Sequence, residues 1–87
     1  MKPTWDDTKR QVTLAQRGLD FADAALVFAG PVVEWVDSRK EYGERRMVCH
    51  GHLAGRLVVV GYVQRDQSRH IFSMRKANER EKTRFGQ

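Results

Sequence analysis

Hydrophobic positions follow two rhythms along this chain, and the change comes at Gly30-Pro31. Before it, Val12, Ala15 and Leu19 recur at helical spacing, and Phe21, Ala24, Ala25 and Phe28 fall at i, i+3, i+4 and i+7. This predicts a first helix capped by Asp6, Asp7 or Thr8, running to about Arg17 and stopped by Gly18 in the left-handed region. Asp20 caps a second, short helix that Gly30-Pro31 ends. After Pro31 the apolar residues alternate or run together, which predicts strands at 32–36, 45–51, 56–64 and 69–74 with turns between them. The run Leu57-Val58-Val59-Val60 marks the third of these as central, because a continuous apolar stretch implies burial on both faces. Asn78, with Glu81 three residues on, opens a short closing helix.

The expected fold is α+β: two N-terminal helices packed on a four-stranded antiparallel sheet with one open face, and a short C-terminal helix. A very short strand at residues 2–5 is a possible addition at an edge. Eighty-seven residues leave room for a single domain, 1–87, with one modest core.

Charge sharpens the picture. The segment 65–84 carries seven Lys/Arg against three acids, whereas the first 64 residues hold nine bases and eight acids. Nearly all of the net charge of +5 therefore sits on the last strand and the helix after it, the footprint of a phosphate-facing surface or of a solvated basic edge. Side chains alternate along the last strand, so His70, Phe72 and Met74 share one side, and Arg69, Ile71, Ser73 and Arg75 share the other. If Phe72 and Met74 face the helices, Arg69, Ser73 and Arg75 line the open face, with Arg65 close by at the end of the neighbouring strand.

Other residues bound the chemistry. Cys49 is the single cysteine, which excludes an internal disulfide and a cysteine zinc cluster; in an apolar strand it reads as a buried, inert thiol. His50-Gly51-His52 has no nearby third ligand, so no metal is expected. His50 and His52 fit an edge or a loop, and His70 is expected to be structural, on the face opposite Arg75. Trp35 is expected to fill the core between sheet and helices. Trp5, beside Asp6 and Lys9, is the better candidate to stack a base. No apolar run approaches the roughly 20 residues of a membrane span, and the expected location is the cytoplasm.

The ordered set Trp5-Asp6-x-x-Lys9, Gly18-x-x-Phe21-x-x-Ala24, Phe28-x-x-Pro31, Gly43-Glu44, Gly51 and Arg65 resembles the BrnT toxin family. So does the closing Arg69-x-Ile71-x-Ser73-x-Arg75-Lys76-Ala77-x-x-Arg80-Glu81. The likeness extends over almost the whole chain. It departs at Thr13, Gln16 and Arg17, where the family often has Asn and Lys-His, at Met74 for an Ala, and at Phe85 for a terminal Tyr. Arginine at position 17 cannot move protons at neutral pH.

The resemblance implies a RelE-like fold and a ribonuclease toxin of a type II toxin–antitoxin pair that cleaves RNA without metal or other cofactor and stops translation. A cognate DNA-binding antitoxin is the implied partner, in a hetero-oligomer that binds operator DNA through the antitoxin. RNA, free or ribosome-associated, is the implied substrate. On this reading Arg65 and Arg75 clamp the scissile phosphate, since a guanidinium grips phosphate oxygens two at a time and keeps its charge. Lys9, Arg69 and Arg80 hold the RNA elsewhere. Glu44 is the candidate base, or else a salt-bridge partner of Arg45 or Lys40. Each arginine has a bland alternative as a solvated cation or as the partner of Glu79, Glu81 or Asp66. The competing functional class is a non-catalytic nucleic-acid- or protein-binding module using the same basic face.

Overall fold

The Leu-Val-Val-Val run lies at the centre of a five-stranded sheet. The computed structural model describes residues 2–39, 41 and 43–85. Strand β4 (Arg56–Arg65) sits between β3 (Arg46–Leu53) and β5 (Ser68–Lys76), antiparallel to both. Strand β2 (Val33–Val36) pairs antiparallel with β3 and forms one edge. Strand β1 (Lys2–Trp5) forms the other edge and runs parallel to β5. The four expected antiparallel strands are thus present in sequential order, and the possible edge strand at 2–5 is added to them in parallel, which makes the sheet five-stranded and mixed. Its parallel pair is possible because the whole chain from the first helix to β4 intervenes, the long connection that parallel strands require. A two-residue turn joins β3 to β4 with positive φ at Ala54 and Gly55 (51° and 77°), the twist that suits a tight hairpin.

Two layers cover the sheet. On the first face, Cys49, Val58, Val60, Tyr62, Ile71 and Met74 meet Leu19, Phe21, Ala24 and Val27, all buried. Phe21 opens a 3-10 turn (Phe21–Asp23) that runs into α2 (Ala24–Ala29), and Asp20 caps the turn by accepting from the Ala22 N–H at 2.9 Å. That turn resets the phase of the apolar stripe. Three residues per turn bring Phe21, Ala24 and Val27 into line, and Ala25, expected in the core, is exposed. On the second face, Leu57, Val59 and Ala77 are buried against Phe85 at the end of α3 (Glu79–Arg84). Strand β4 is accordingly covered on both sides, and the second face is half closed rather than open.

Helix α1 (Asp7–Arg17) departs from expectation: it has no buried residue, and Val12 keeps 48% of its surface exposed. Ala15 is exposed as well. The helix lies beside β5 where β1 ends, and the Arg17 Nη1 donates to the Met74 carbonyl at 2.9 Å. An edge carbonyl that the short β1 cannot reach is satisfied in this way. Polar ties hold the helix. Asp6 accepts from the Lys9 N–H, and Arg10 grips Asp20 at 2.7 and 3.1 Å, holding that carboxyl below its usual range with help from the Ala22 N–H.

One irregularity decides which side chains share a face. Tyr62 pairs with Ile71 and Gly61 with Ser73, so Phe72 is an extra residue in β5. Such a bulge reverses the alternation after it. Ile71 and Met74, three apart, both face the first layer and are fully buried.

Candidate active site

Arg75, placed beyond the bulge, projects from the second face opposite Val59. Three residues later the chain turns into α3 through a reciprocal cap. The Asn78 side chain accepts from the Glu81 N–H at 2.8 Å, and Glu81 Oε1 accepts from the Asn78 N–H at 3.0 Å. The cap fixes the Glu81 carboxylate over the sheet, where Arg75 donates to both of its oxygens at 2.7 and 3.0 Å. His50 Nε2 lies 2.8 Å from the same carboxylate. The Arg75 bonds, then the Asn78 and His50 contacts, hold the Glu81 carboxyl at about 2 despite its partial burial. An ionised carboxylate can only accept, so the pairing assigns a proton to His50 Nε2. His50 is 3% exposed, and its Nδ1 has no hydrogen-bond partner among the described residues.

Aromatic rings complete the site. Trp35, which pairs with Val48 on the edge strand, stacks on His50 with ring centres 4.8 Å apart, and Phe85 stacks on His50 at 4.4 Å. A hollow of about 290 Å³ opens beside them, lined by Trp35, Val48, His50, Arg75 and Glu81 together with the segment 36–39.

The residues singled out from sequence scatter over this frame. Arg75 is half-exposed at the hollow, paired with Glu81, the carboxylate named above as its bland alternative. Arg65 lies on the same face at its far end, where its Nη2 meets Glu44 Oε2 at 3.3 Å. Glu44 thus pairs with Arg65, not with Arg45; Lys40 lies outside the described residues. Six residue steps along β4 separate Arg65 from Val59, the partner of Arg75, a span of roughly 20 Å. The two guanidiniums, each turned to its own carboxylate, do not converge on one phosphate.

Arg69 precedes the bulge and points to the opposite face. Its guanidinium lies 4.1 Å from the centre of Phe28 and 5.4 Å from that of Tyr62, so it does not line the same surface as Arg75. His70 correspondingly shares the second face with Arg75, contrary to strict alternation. It stands 2.9 Å from Thr4 Oγ1, and burial, then Arg65, lowers its pKa. Lys9 is exposed on α1 and borders a groove with Arg17, Phe72 and Ser73; Arg80 is exposed on α3.

The tryptophans exchange their expected places. Trp5 is half-buried against the first-face core with the Arg10 guanidinium 5.6 Å from its ring, whereas Trp35 keeps 38% of its surface exposed at the hollow. His50, expected at an edge or in a loop, lies buried within β3, and His52 on the same strand is exposed. Sequence reasoning missed Trp35, His50 and Glu81 as a group. The available signal was the cap: a glutamate fixed three residues after Asn78 is an immobile carboxylate near whatever the preceding strand presents.

Burial, then Glu34, pushes the Cys49 thiol up to about 12, which removes it as a nucleophile. Among the described residues no three His, Cys, Asp or Glu side chains gather where they could hold a metal ion, and no helix is long and apolar enough to cross a membrane.

No curated protein matches the chain significantly. The family model described as ribonuclease toxin, BrnT, of type II toxin–antitoxin system matches residues 5–81, a stretch that holds Trp35, His50, Arg75 and Glu81. With most of its length covered by that match, the chain belongs to the BrnT family of ribonuclease toxins of type II toxin–antitoxin systems.

Proposed function

We propose that this protein cleaves RNA without a metal ion on the second face of its sheet, with Arg75 at the reacting phosphate. The observation that carries this reading is the Arg75–Glu81 pair, a half-exposed guanidinium fixed by a carboxylate at the mouth of a hollow. Cleavage of this kind proceeds by attack of the 2′-oxygen on phosphorus and departure of the 5′-oxygen, leaving a 2′,3′-cyclic phosphate. The transition state gathers negative charge on the non-bridging oxygens, and a guanidinium already in position stabilises it with little reorganisation. Glu81 takes two of the five N–H donors of Arg75 and the Lys76 carbonyl accepts a third from Nη1 at 3.5 Å, which leaves two for phosphate.

Arg65, oriented by Glu44 at the far end of the face, holds a flanking phosphate in this scheme, and Lys9 and Arg80 extend the basic surface. Glu44 is paired with Arg65 at the other end of the face, so in this scheme the 2′-OH proton passes to water and water protonates the departing 5′-oxygen. The acceleration then rests on positioning and charge. A cognate DNA-binding antitoxin neutralises the toxin in the cytoplasm by covering the same face, and the resulting complex binds operator DNA through the antitoxin.

The test is incubation of the purified protein with total RNA in EDTA, with and without ribosomes, beside Arg75→Ala. The expected result is fragments with 2′,3′-cyclic phosphate ends, formed roughly 10²–10³ times more slowly by the variant. Cleavage that needs added Mg²⁺, or that Arg75→Ala leaves intact, would overturn the reading. RNA bound but never cut, with or without ribosomes, would favour a non-catalytic binding module.

A further inference from the structure

Three stacked rings, none inclined more than 26° to another, define a surface beside Arg75. Trp35 and Phe85 have ring centres 6.0 Å apart and planes within 9° of each other, while His50 lies 4.8 Å from one and 4.4 Å from the other. Stacked rings in contact sit about 3.5 Å apart, so a ring held between two others forces them to about 7 Å. The imidazole therefore does not lie between Trp35 and Phe85. It lies against one side of both, and the two larger rings stand side by side in nearly one plane, their other sides turned away from it. His50 is sealed by this arrangement, while Trp35 stays 38% exposed.

From this geometry we propose that Trp35 and Phe85 form a stacking platform for a nucleobase of the RNA strand. The inference rests on the RNA-cleaving reading above and adds to it a subsite that reads a base rather than a phosphate. Two features favour a base over an apolar protein side chain. Trp35 lines the same hollow as Arg75, so a nucleotide with its phosphate on the guanidinium has an aromatic surface within reach. At the other end, the Arg84 guanidinium lies over the Phe85 ring, 5.7 Å from its centre, so a base on the platform rests chiefly on Trp35 and meets a cation at its Phe85 end. Every base has a π-face, so the platform binds single-stranded RNA with weak preference among bases.

The test uses Trp5→Phe protein, in which Trp35 is the only fluorescent tryptophan. A short 2′-O-methyl RNA, which lacks the attacking hydroxyl, is titrated beside an abasic strand of the same length. The expected result is quenching of Trp35 by the base-bearing strand and not by the abasic one. Trp35→Ala then weakens binding of the base-bearing strand roughly 5- to 100-fold without changing the slope of affinity against salt. Trp35→Phe, which keeps the ring, stays within a few-fold of the parent, and thermal melts of both variants check that they fold.

Equal binding of the two strands with steep salt dependence and no quenching overturns the platform while leaving Arg75 as a phosphate site. A Trp35 signal that answers only to the antitoxin overturns it in favour of a protein-docking role. If neither strand binds, the RNA-binding face itself falls, and the platform with it.

Discussion

Arg75 and Glu81 meet through two bonds, Nη1 to Oε1 at 2.7 Å and Nη2 to Oε2 at 3.0 Å, joining the last strand to the last helix. The same carboxylate receives the His50 imidazole and closes the helix cap, so one side chain orders the guanidinium, the buried histidine and the start of α3. A two-point grip depends on the planar fork that lysine lacks. Arg75→Lys should therefore retain the charge but lose the orientation. The expected RNA cleavage lies between wild type and Arg75→Ala, at least about tenfold below wild type, with the loss in kcat more than in KM. Single-turnover cleavage of a labelled RNA measures it, and full activity in the lysine variant would show that charge alone suffices.

The Glu81 carboxyl is held at about 2, below its ordinary 4.5. A depressed carboxyl contributes stability above its unfolded value and loses it as pH falls toward the folded one. Wild type should consequently be more stable than Glu81→Gln from neutral pH down to about 4.5, by roughly 1–3 kcal/mol, and the gap should close between pH 4.5 and 2. Thermal melts of the two proteins across that range decide the matter. A gap that persists unchanged at pH 2 would show that shape, not charge, makes the contribution.

Cys49 is fully buried among Val27, Val60 and the other residues of the first-face core. With its thiol pushed up to about 12, alkylation of the folded protein at pH 8 should be slower by orders of magnitude than that of a free thiol, and rapid in denaturant. Mass spectrometry after timed iodoacetamide treatment reads this directly. Prompt modification of the native protein would mean that the first face opens far more readily than its packing implies.

What the sequence made legible was the one-dimensional pattern: the helix ends at Gly18 and Gly30, the central strand and the Asn78 cap all lie where composition and spacing put them. It failed where phase or distance between elements mattered. The 3-10 turn at Phe21 exchanged Ala25 for Val27 in the core, and the extra Phe72 put Arg69 and Arg75 on opposite faces. Neither is visible to a periodicity argument, which assumes one rhythm per element. The separation of Arg65 from Arg75 follows from strand length rather than residue type, and the meeting of Trp35, His50 and Phe85 depends on three distant segments. The α1 stripe misled for a different reason. Val12 and Ala15 have helical spacing, but the helix flanks an edge where no apolar layer waits for them.

The bulge that places Arg75 has its own requirement at Gly61. A Cβ there would lie 2.6 Å from Ser73 Oγ and 2.8 Å from the Phe72 ring, closer than packed atoms tolerate. Gly61→Ala must therefore displace both groups in β5 or shift its own strand, at an expected cost of about 1–3 kcal/mol. Because Ser73 lies only two residues before Arg75, RNA cleavage should fall along with stability. A structural cost alone does not identify the contact, so Phe72→Ala is the informative companion. If the Phe72 ring excludes a side chain at position 61, the double variant should be less destabilised than the sum of the singles by at least about 0.5 kcal/mol. Denaturant titrations of the four proteins measure that difference. Strict additivity would mean that Ser73 or the strand backbone, not the Phe72 ring, excludes a side chain at position 61.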